Sequence, residues 1–143
     1  MPRPSTTCKN ASSTVRPRQA VLLLSGIQHF AEIPEGMAAV PSYVKDALRE
    51  LPRRWDEVRF LDGVPRQYLV IARRAGQRWY GAGINAEDTA RAIKLNLGFT
   101  GNLNGPLITD GDGEREFSRS VVNAKTSLTV RLKPHGGFFA VFK

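Results

Sequence analysis

Residues 51–83 read LPRRWDEVRFLDGVPRQYLVIARRAGQRWYGAG, and the reading of this stretch decides the fold. Before it, apolar residues recur at helical spacing. After Pro52 they recur at every second residue, the period of a pleated strand. VRFLDG gives a short strand, with Val58 and Phe60 on one face and a turn at Asp62 and Gly63. RQYLVIARRAG is the strongest strand, and its YLVIA centre has the continuous apolar run of a buried one. A hairpin turn over 74–77 leads to a return strand over 78–84. There Gly81 and Gly83 leave room for a neighbouring backbone or a bulky ring.

Working outward, ARAIKLNLGF sets Ile93, Leu95 and Leu97 against Ala92, Lys94 and Asn96. GPLIT is a further strand before a Gly/Asp turn, and two more, over 128–132 and 138–142, are joined through 134–137. Upstream, Val21, Leu24, Ile27 and Ala31 follow helical spacing until Pro34 stops the pattern. PSYVKDALRELP is a second helix, opened by Pro41 and striped by Tyr43, Val44, Ala47, Leu48 and Leu51. Residues 1–19 show no apolar period and read as a disordered basic tail. The expected architecture is mainly β: an antiparallel β-sandwich of about seven strands preceded by two helices. The chain divides into a tail at 1–19, a helical segment at 20–52 and a sandwich at 53–143.

A chain of 143 residues is long enough for one core, and 41% hydrophobic residues argue against global disorder. The formal charge is +8, but Arg3, Lys9, Arg16 and Arg18 supply half of it from a tail with no acid. The arginines at 53, 54, 59, 66, 73, 74 and 78 are interleaved with Glu50, Asp56, Glu57 and Asp62. They fall at strand ends and turns, where arginine is ordinarily solvated, so no nucleic-acid partner is expected. Cys8 stands alone, which excludes an internal disulfide and a cysteine metal cage. The run AVLLLSGI falls far short of the roughly 18 residues that cross a bilayer, so no membrane partner is expected. It also makes a poor secretory signal.

No catalytic constellation emerges. A glycosidase needs two carboxylates across a cleft, whereas Glu32 and Glu35 lie at a helix end and Asp110 and Asp112 in a turn. Asp110, Asp112 and Glu114 echo a calcium loop without its twelve-residue frame, so no metal site is assigned. Ser25 and His29 are four residues apart but lack a nucleophile elbow, and His135 is remote from both. No cofactor is expected. The aromatic residues leave two readings. In one, Trp55 plugs the sandwich end and Trp79 packs on the sheet. In the other, Trp79, Tyr80 and Tyr68 form a sugar-stacking surface with Asn85 or Asp88 beside it, which makes the chain a carbohydrate-binding module.

Three motifs in order carry a resemblance. SGIQHFAEIPEGM at 25–37 is close to SPLQMxADxPExY, with Glu32 for Asp and Met37 for Tyr. LPRRWDEVRFLDG at 51–63 matches VPxxWDExRxLxG. QYLVIARRAGQRWYGAGIN at 67–85 follows GxYxxIARRxGxxWYxGxxxN, and Pro134, Gly136, Gly137 and Phe138 fit a closing PGGGF. From about Ala20 onward the chain resembles the C-terminal region of glycoside hydrolase family 97, which comprises α-glucosidases and α-galactosidases. The resemblance implies a β-sandwich appended to a catalytic (β/α)8 barrel, with the helical segment a remnant of the barrel end. It implies stabilisation or oligomerisation of the parent enzyme, with self-association or the parent's barrel as partner. It also implies a periplasmic or secreted setting. The family's catalytic and calcium-binding acids lie upstream in the barrel and N-terminal sandwich, so none transfers here, and the chain is expected to be a fragment or truncated homologue. On this reading Trp55 and Asp56 seal and anchor the junction, with Pro52, Gly63, Gly136 and Gly137 as further structural positions. VLLLSGIQHF, without a barrel over it, either folds back onto the sandwich or drives self-association.

Overall fold

The computed structural model describes residues 15–23, 34–101, 103–113, 116–123 and 127–143. Three short helices precede eight strands. The helices are α1 (Val15–Leu22), α2 (Pro34–Ala39) and α3 (Ser42–Arg49). The strands are β1 (Glu57–Val64), β2 (Tyr68–Ala75), β3 (Arg78–Asn85), β4 (Arg91–Asn96), β5 (Asn104–Asp110), β6 (Phe117–Asn123), β7 (Ser127–Leu132) and β8 (Gly137–Phe142). All pairings are antiparallel. A six-stranded sheet runs β1-β2-β3-β8-β5-β6, and β4 and β7 form a two-stranded sheet.

The larger sheet is covered on both faces, and the parity of its residues assigns each to a layer. Val70, Ala72, Trp79, Leu107, Phe138, Ala140 and Phe142 face the small sheet and meet Ile93, Leu95, Val130 and Leu132. Ile71, Tyr80, Ala82, Ile108, Phe139 and Val141 face the other way and meet Val21 of α1 and Val44 of α3. This double burial is why YLVIA and FFAVF are apolar without a break, whereas β4, covered on one face, alternates buried and exposed residues from Ala92 to Asn96.

The β2–β3 hairpin closes as expected. Ala75 pairs with Arg78, and Gly76 has φ 59 at the first of the two loop residues, where a type II′ turn demands it. Gly83 sits under Phe138, whose ring a Cβ there would press against, so the room foreseen at Gly83 is filled by an aromatic ring.

The mainly β sandwich of about seven strands is as expected, with eight strands in all and β6 the one whose sequence shows no period. Several other expectations need correction. Asp62 and Gly63 lie inside β1, and the chain turns later, at 65–67, with Arg66 at φ 68. A bulge between Phe60 and Asp62 absorbs the irregularity. Val58 and Phe60 are exposed on β1, an edge strand of the large sheet. Pro34 opens α2 rather than only ending what precedes it, as its fixed φ and missing N–H suit a first turn. The tail expected over 1–19 gives way to helix at Val15, and Arg18 is 1% exposed. The rest of that tail, and the segment 24–33 with Ser25, His29 and Glu32, lie outside the described residues.

Candidate functional site

Arg18 of α1 and Asp110 at the end of β5 form a buried ion pair at 3.5 Å. The same Asp110 Oδ2 accepts the Gly137 backbone N–H at 2.7 Å. Cβ atoms at Gly136 and Gly137 would collide with Asp110 and with the Arg18 guanidinium, so those two glycines make the cradle that admits the pair. Burial pulls the Arg18 pKa down to about 10, against the opposing pull of Asp110.

Arg73 is the second pin. Its Nη1 donates to the carbonyls of Val21 and Leu23 at 3.4 and 3.2 Å, at the C-terminal end of α1, where a cation is favoured. Its guanidinium lies 4.3 Å from the Trp55 ring centroid. The solvated role expected for it is corrected: Arg73 is 6% exposed, and burial lowers its pKa. Trp55 is half-buried and meets Tyr80 edge-on at 5.2 Å, on the helix side of the large sheet. The Tyr80 hydroxyl donates to the carbonyl of Glu50. Asp56 accepts the Gly76 N–H at 2.7 Å, and its own N–H donates to the Arg74 carbonyl, which ties the chain to the β2–β3 turn. Pro52 is half-buried at the end of the α3 connection. Gly63 packs so closely that a Cβ would come within 2.9 Å of the Tyr68 carbonyl.

The proposed sugar platform does not assemble. Trp79 is 6% and Tyr80 2% exposed, one in each core layer, so neither offers a ring face, and their order in the strand puts them on opposite sides of the sheet. The Tyr68 ring carries the Arg91 guanidinium at 4.3 Å. Its hydroxyl donates to Asp62 at 3.0 Å, which pushes the phenol pKa above its ordinary value. Asn85, read as a polar neighbour of that platform, is buried. Its amide donates to the carbonyls of Thr89 and Lys133 and its oxygen accepts from Glu87 N–H, so it fastens two connections together. Asp88 instead meets His135 at 2.7 Å.

Of the carboxylates weighed for catalysis, Glu32 lies outside the described residues, Glu35 is exposed in the first turn of α2, and the other two have structural partners. Asp110 serves Arg18 and Gly137, and Asp112 pairs with Lys133 at 2.9 Å. Glu50 bridges Lys143 and Arg78, Glu57 bridges Arg59 and Arg74, and Glu87 holds Arg91. Among the described residues, no three or more His, Cys, Asp and Glu side chains gather as a metal cluster, and no helix is long and apolar enough to cross a membrane. Among the described residues, two grooves on the surface stand out. One, of about 530 Å³, runs past Phe99, Arg74, Arg78 and Lys143, whose cations are held by Glu57 and Glu50. The other, of about 460 Å³, lies beside β1 and is lined by Phe60, Val64, Pro65, Tyr68, Leu69 and Ile84.

This layering has close parallels among solved structures. A β-arabinopyranosidase superposes with TM-score 0.80 at 30% identity, over 91% of this chain and 21% of that one. A glycoside hydrolase family 97 enzyme from Pseudoalteromonas sp. strain K8 superposes with TM-score 0.79 at 24% identity, over 93% of this chain and 23% of that one. The fold and its class are thus those of an accessory sandwich of glycoside hydrolases. Residues 54–143 match the family described as glycosyl-hydrolase 97 C-terminal, oligomerisation, and the chain belongs to that family. It is 36% identical over 124 residues to a probable retaining α-galactosidase of Streptomyces bingchenggensis, covering 85% of this chain and 19% of the relative. It is 34% identical over 99 residues to a retaining α-galactosidase of Bacteroides thetaiotaomicron, covering 64% and 15%. The chain therefore spans less than a fifth of the length of these curated relatives.

Proposed function

We propose that this domain is the non-catalytic scaffold of a family 97 glycosidase, acting by self-association and by steadying the catalytic part of its parent. The observation that carries the reading is the use of its acids. Asp110, Asp112, Glu50, Glu57 and Glu87 are committed to ion pairs that hold elements together, whereas glycoside hydrolysis needs two carboxylates facing one bond. The family's description as an oligomerisation domain supports the same reading. The names of the two curated relatives support an α-galactoside as the parent's substrate. The helices α1 and α3 belong to the same folding unit as the sandwich, since Val21 and Val44 complete its second core layer. The remainder of the parent, its barrel included, is the expected partner on the helical side.

The test combines sedimentation velocity with an assay on a nitrophenyl α-galactoside. The purified chain is expected to associate with rising concentration and to release no nitrophenol above a heat-denatured control. Turnover that follows the protein through purification would overturn the scaffold reading. Saturable amide shifts around Tyr68 on titration with galactose would return the carbohydrate-binding module to first place.

A further inference from the structure

We propose that β1 is the surface through which two copies of this chain meet, antiparallel about a two-fold axis, with Phe60 as the anchor. This rests on the self-association reading above and gives it a surface. Of the large apolar side chains exposed among the described residues, three lie on this one edge strand: Val58 at 47%, Phe60 at 66% and Val64 at 40%. Among the described residues, α1 lies mainly over β2, β3 and β8 rather than β1. The other edge differs. β6 exposes Val121 at 76%, but as a single apolar side chain beside Ser118, Arg119 and Ser120, and Tyr43 of α3 donates to its Phe117 carbonyl, so that edge is mixed and partly held.

The groove beside β1 is apolar, with Arg66 the single charged residue in its lining, and its volume of about 460 Å³ admits an aromatic side chain. Two exposed phenylalanines related by a two-fold axis can each enter the other copy's groove, which is the self-complementary geometry of an isologous contact. Charge selects the orientation. Along β1 and its turn the charged residues read Glu57, Arg59, Asp62, Arg66, alternating in sign. A second copy running antiparallel with Arg59 opposite the other copy's Asp62 leaves Glu57, which bridges Arg59 and Arg74 within its own chain, one diagonal step from the other copy's Arg66. A parallel copy would set like against like. The bulge between Phe60 and Asp62 interrupts a continuous backbone ladder, so side chains carry the contact.

Sedimentation equilibrium of the full chain tests this. Phe60→Ser is expected to weaken the dimer by ~30-fold or more, as expected of a buried aromatic anchor, while the thermal melt stays at the wild-type value. Arg66→Glu is expected to weaken it, and Glu57→Arg added to Arg66→Glu to restore it. Val121→Ser, on the opposite edge, is expected to change nothing. A dimer unaffected by Phe60→Ser, or one broken by Val121→Ser, overturns the surface and leaves self-association standing. A wild-type chain that stays monomeric at every concentration overturns the self-association reading, and the surface with it.

Discussion

Gly105 faces backbone rather than a side chain. A Cβ there would land on the Val141 carbonyl, deep inside contact distance, and nothing flexible stands between them. Gly105→Ala is therefore expected to push β5 from β8 and to cost about 2–4 kcal/mol. Gly101, with φ 71 and open space around it, sets the contrast: Gly101→Ala should cost only about 1 kcal/mol, for the left-handed backbone alone. Denaturant unfolding of the two variants side by side checks both. The Arg18–Asp110 pair makes a second residue-scale prediction. Asp110→Asn removes a carboxylate from a buried guanidinium and should cost about 3–5 kcal/mol, whereas Arg18→Met combined with Asp110→Asn should recover most of that. Burial places the Arg18 pKa at about 10, below its ordinary range, so the unfolded chain holds this proton more tightly than the folded one. The cost of the buried charge is then present in full below pH 10 and fades only as pH rises through 10, so around neutrality this group leaves stability flat. None of this was legible in the sequence. Arg18 sits in a Pro- and Ser-rich stretch whose composition argues for solvent exposure, and its partner lies 92 residues away.

At the scale of elements, legibility followed burial. β2, β3 and β8 are apolar on both faces and β4 alternates cleanly, so their periods announce them. β6 does not announce itself. In FSRSVVN only Phe117 and Val122 are partly buried, and an edge strand with so little to bury carries no period. The junction motif WDE was recognisable, but its partners were not, because Tyr80, Arg73 and the β2–β3 turn come together only once the hairpin folds. Trp55→Ala should cost about 2–3 kcal/mol, less than a fully buried Trp, because half of the ring is open to water while Tyr80 and Arg73 hold the rest. Asp56→Ala should cost about 1 kcal/mol through the lost Gly76 bond. Thermal melts of the two variants, with hydrogen exchange at Gly76 for the second, check these values.

For the whole molecule, surface ion pairs set the response to acid. The Glu50 carboxyl is held low by its hydrogen bond from Lys143, Glu57 by Arg59, and Asp112 by Lys133. Each folded-state pKa lies below the unfolded one, so the contribution is complete above about pH 4.5 and is lost as pH falls through the depressed values. A shallow fall in melting temperature on acidification is expected, shallower still in high salt and in Glu50→Gln, because these groups are exposed and screened. The sandwich class could be read from the succession of short strands, but the strand order could not. β7 and β8 are neighbours in sequence and part company in space, β7 to β4 and β8 to the middle of the large sheet. Periodicity says which faces are apolar, not which strand lies beside which.

The position of β8 has a consequence for how the chain comes off the ribosome. The β1–β2–β3 meander and the β5–β6 hairpin each form from residues close in sequence, yet among the described residues it is β8 that joins them, pairing β3 on one side and β5 on the other. β8 is also the last of the eight strands to be synthesised. During translation the two halves of the sheet therefore wait as separate, half-open pieces until β8 emerges, and loss of β8 abolishes the join rather than trimming an edge. A chain lacking 137–142 cannot close this sheet, so the join is made only once synthesis has passed Phe142.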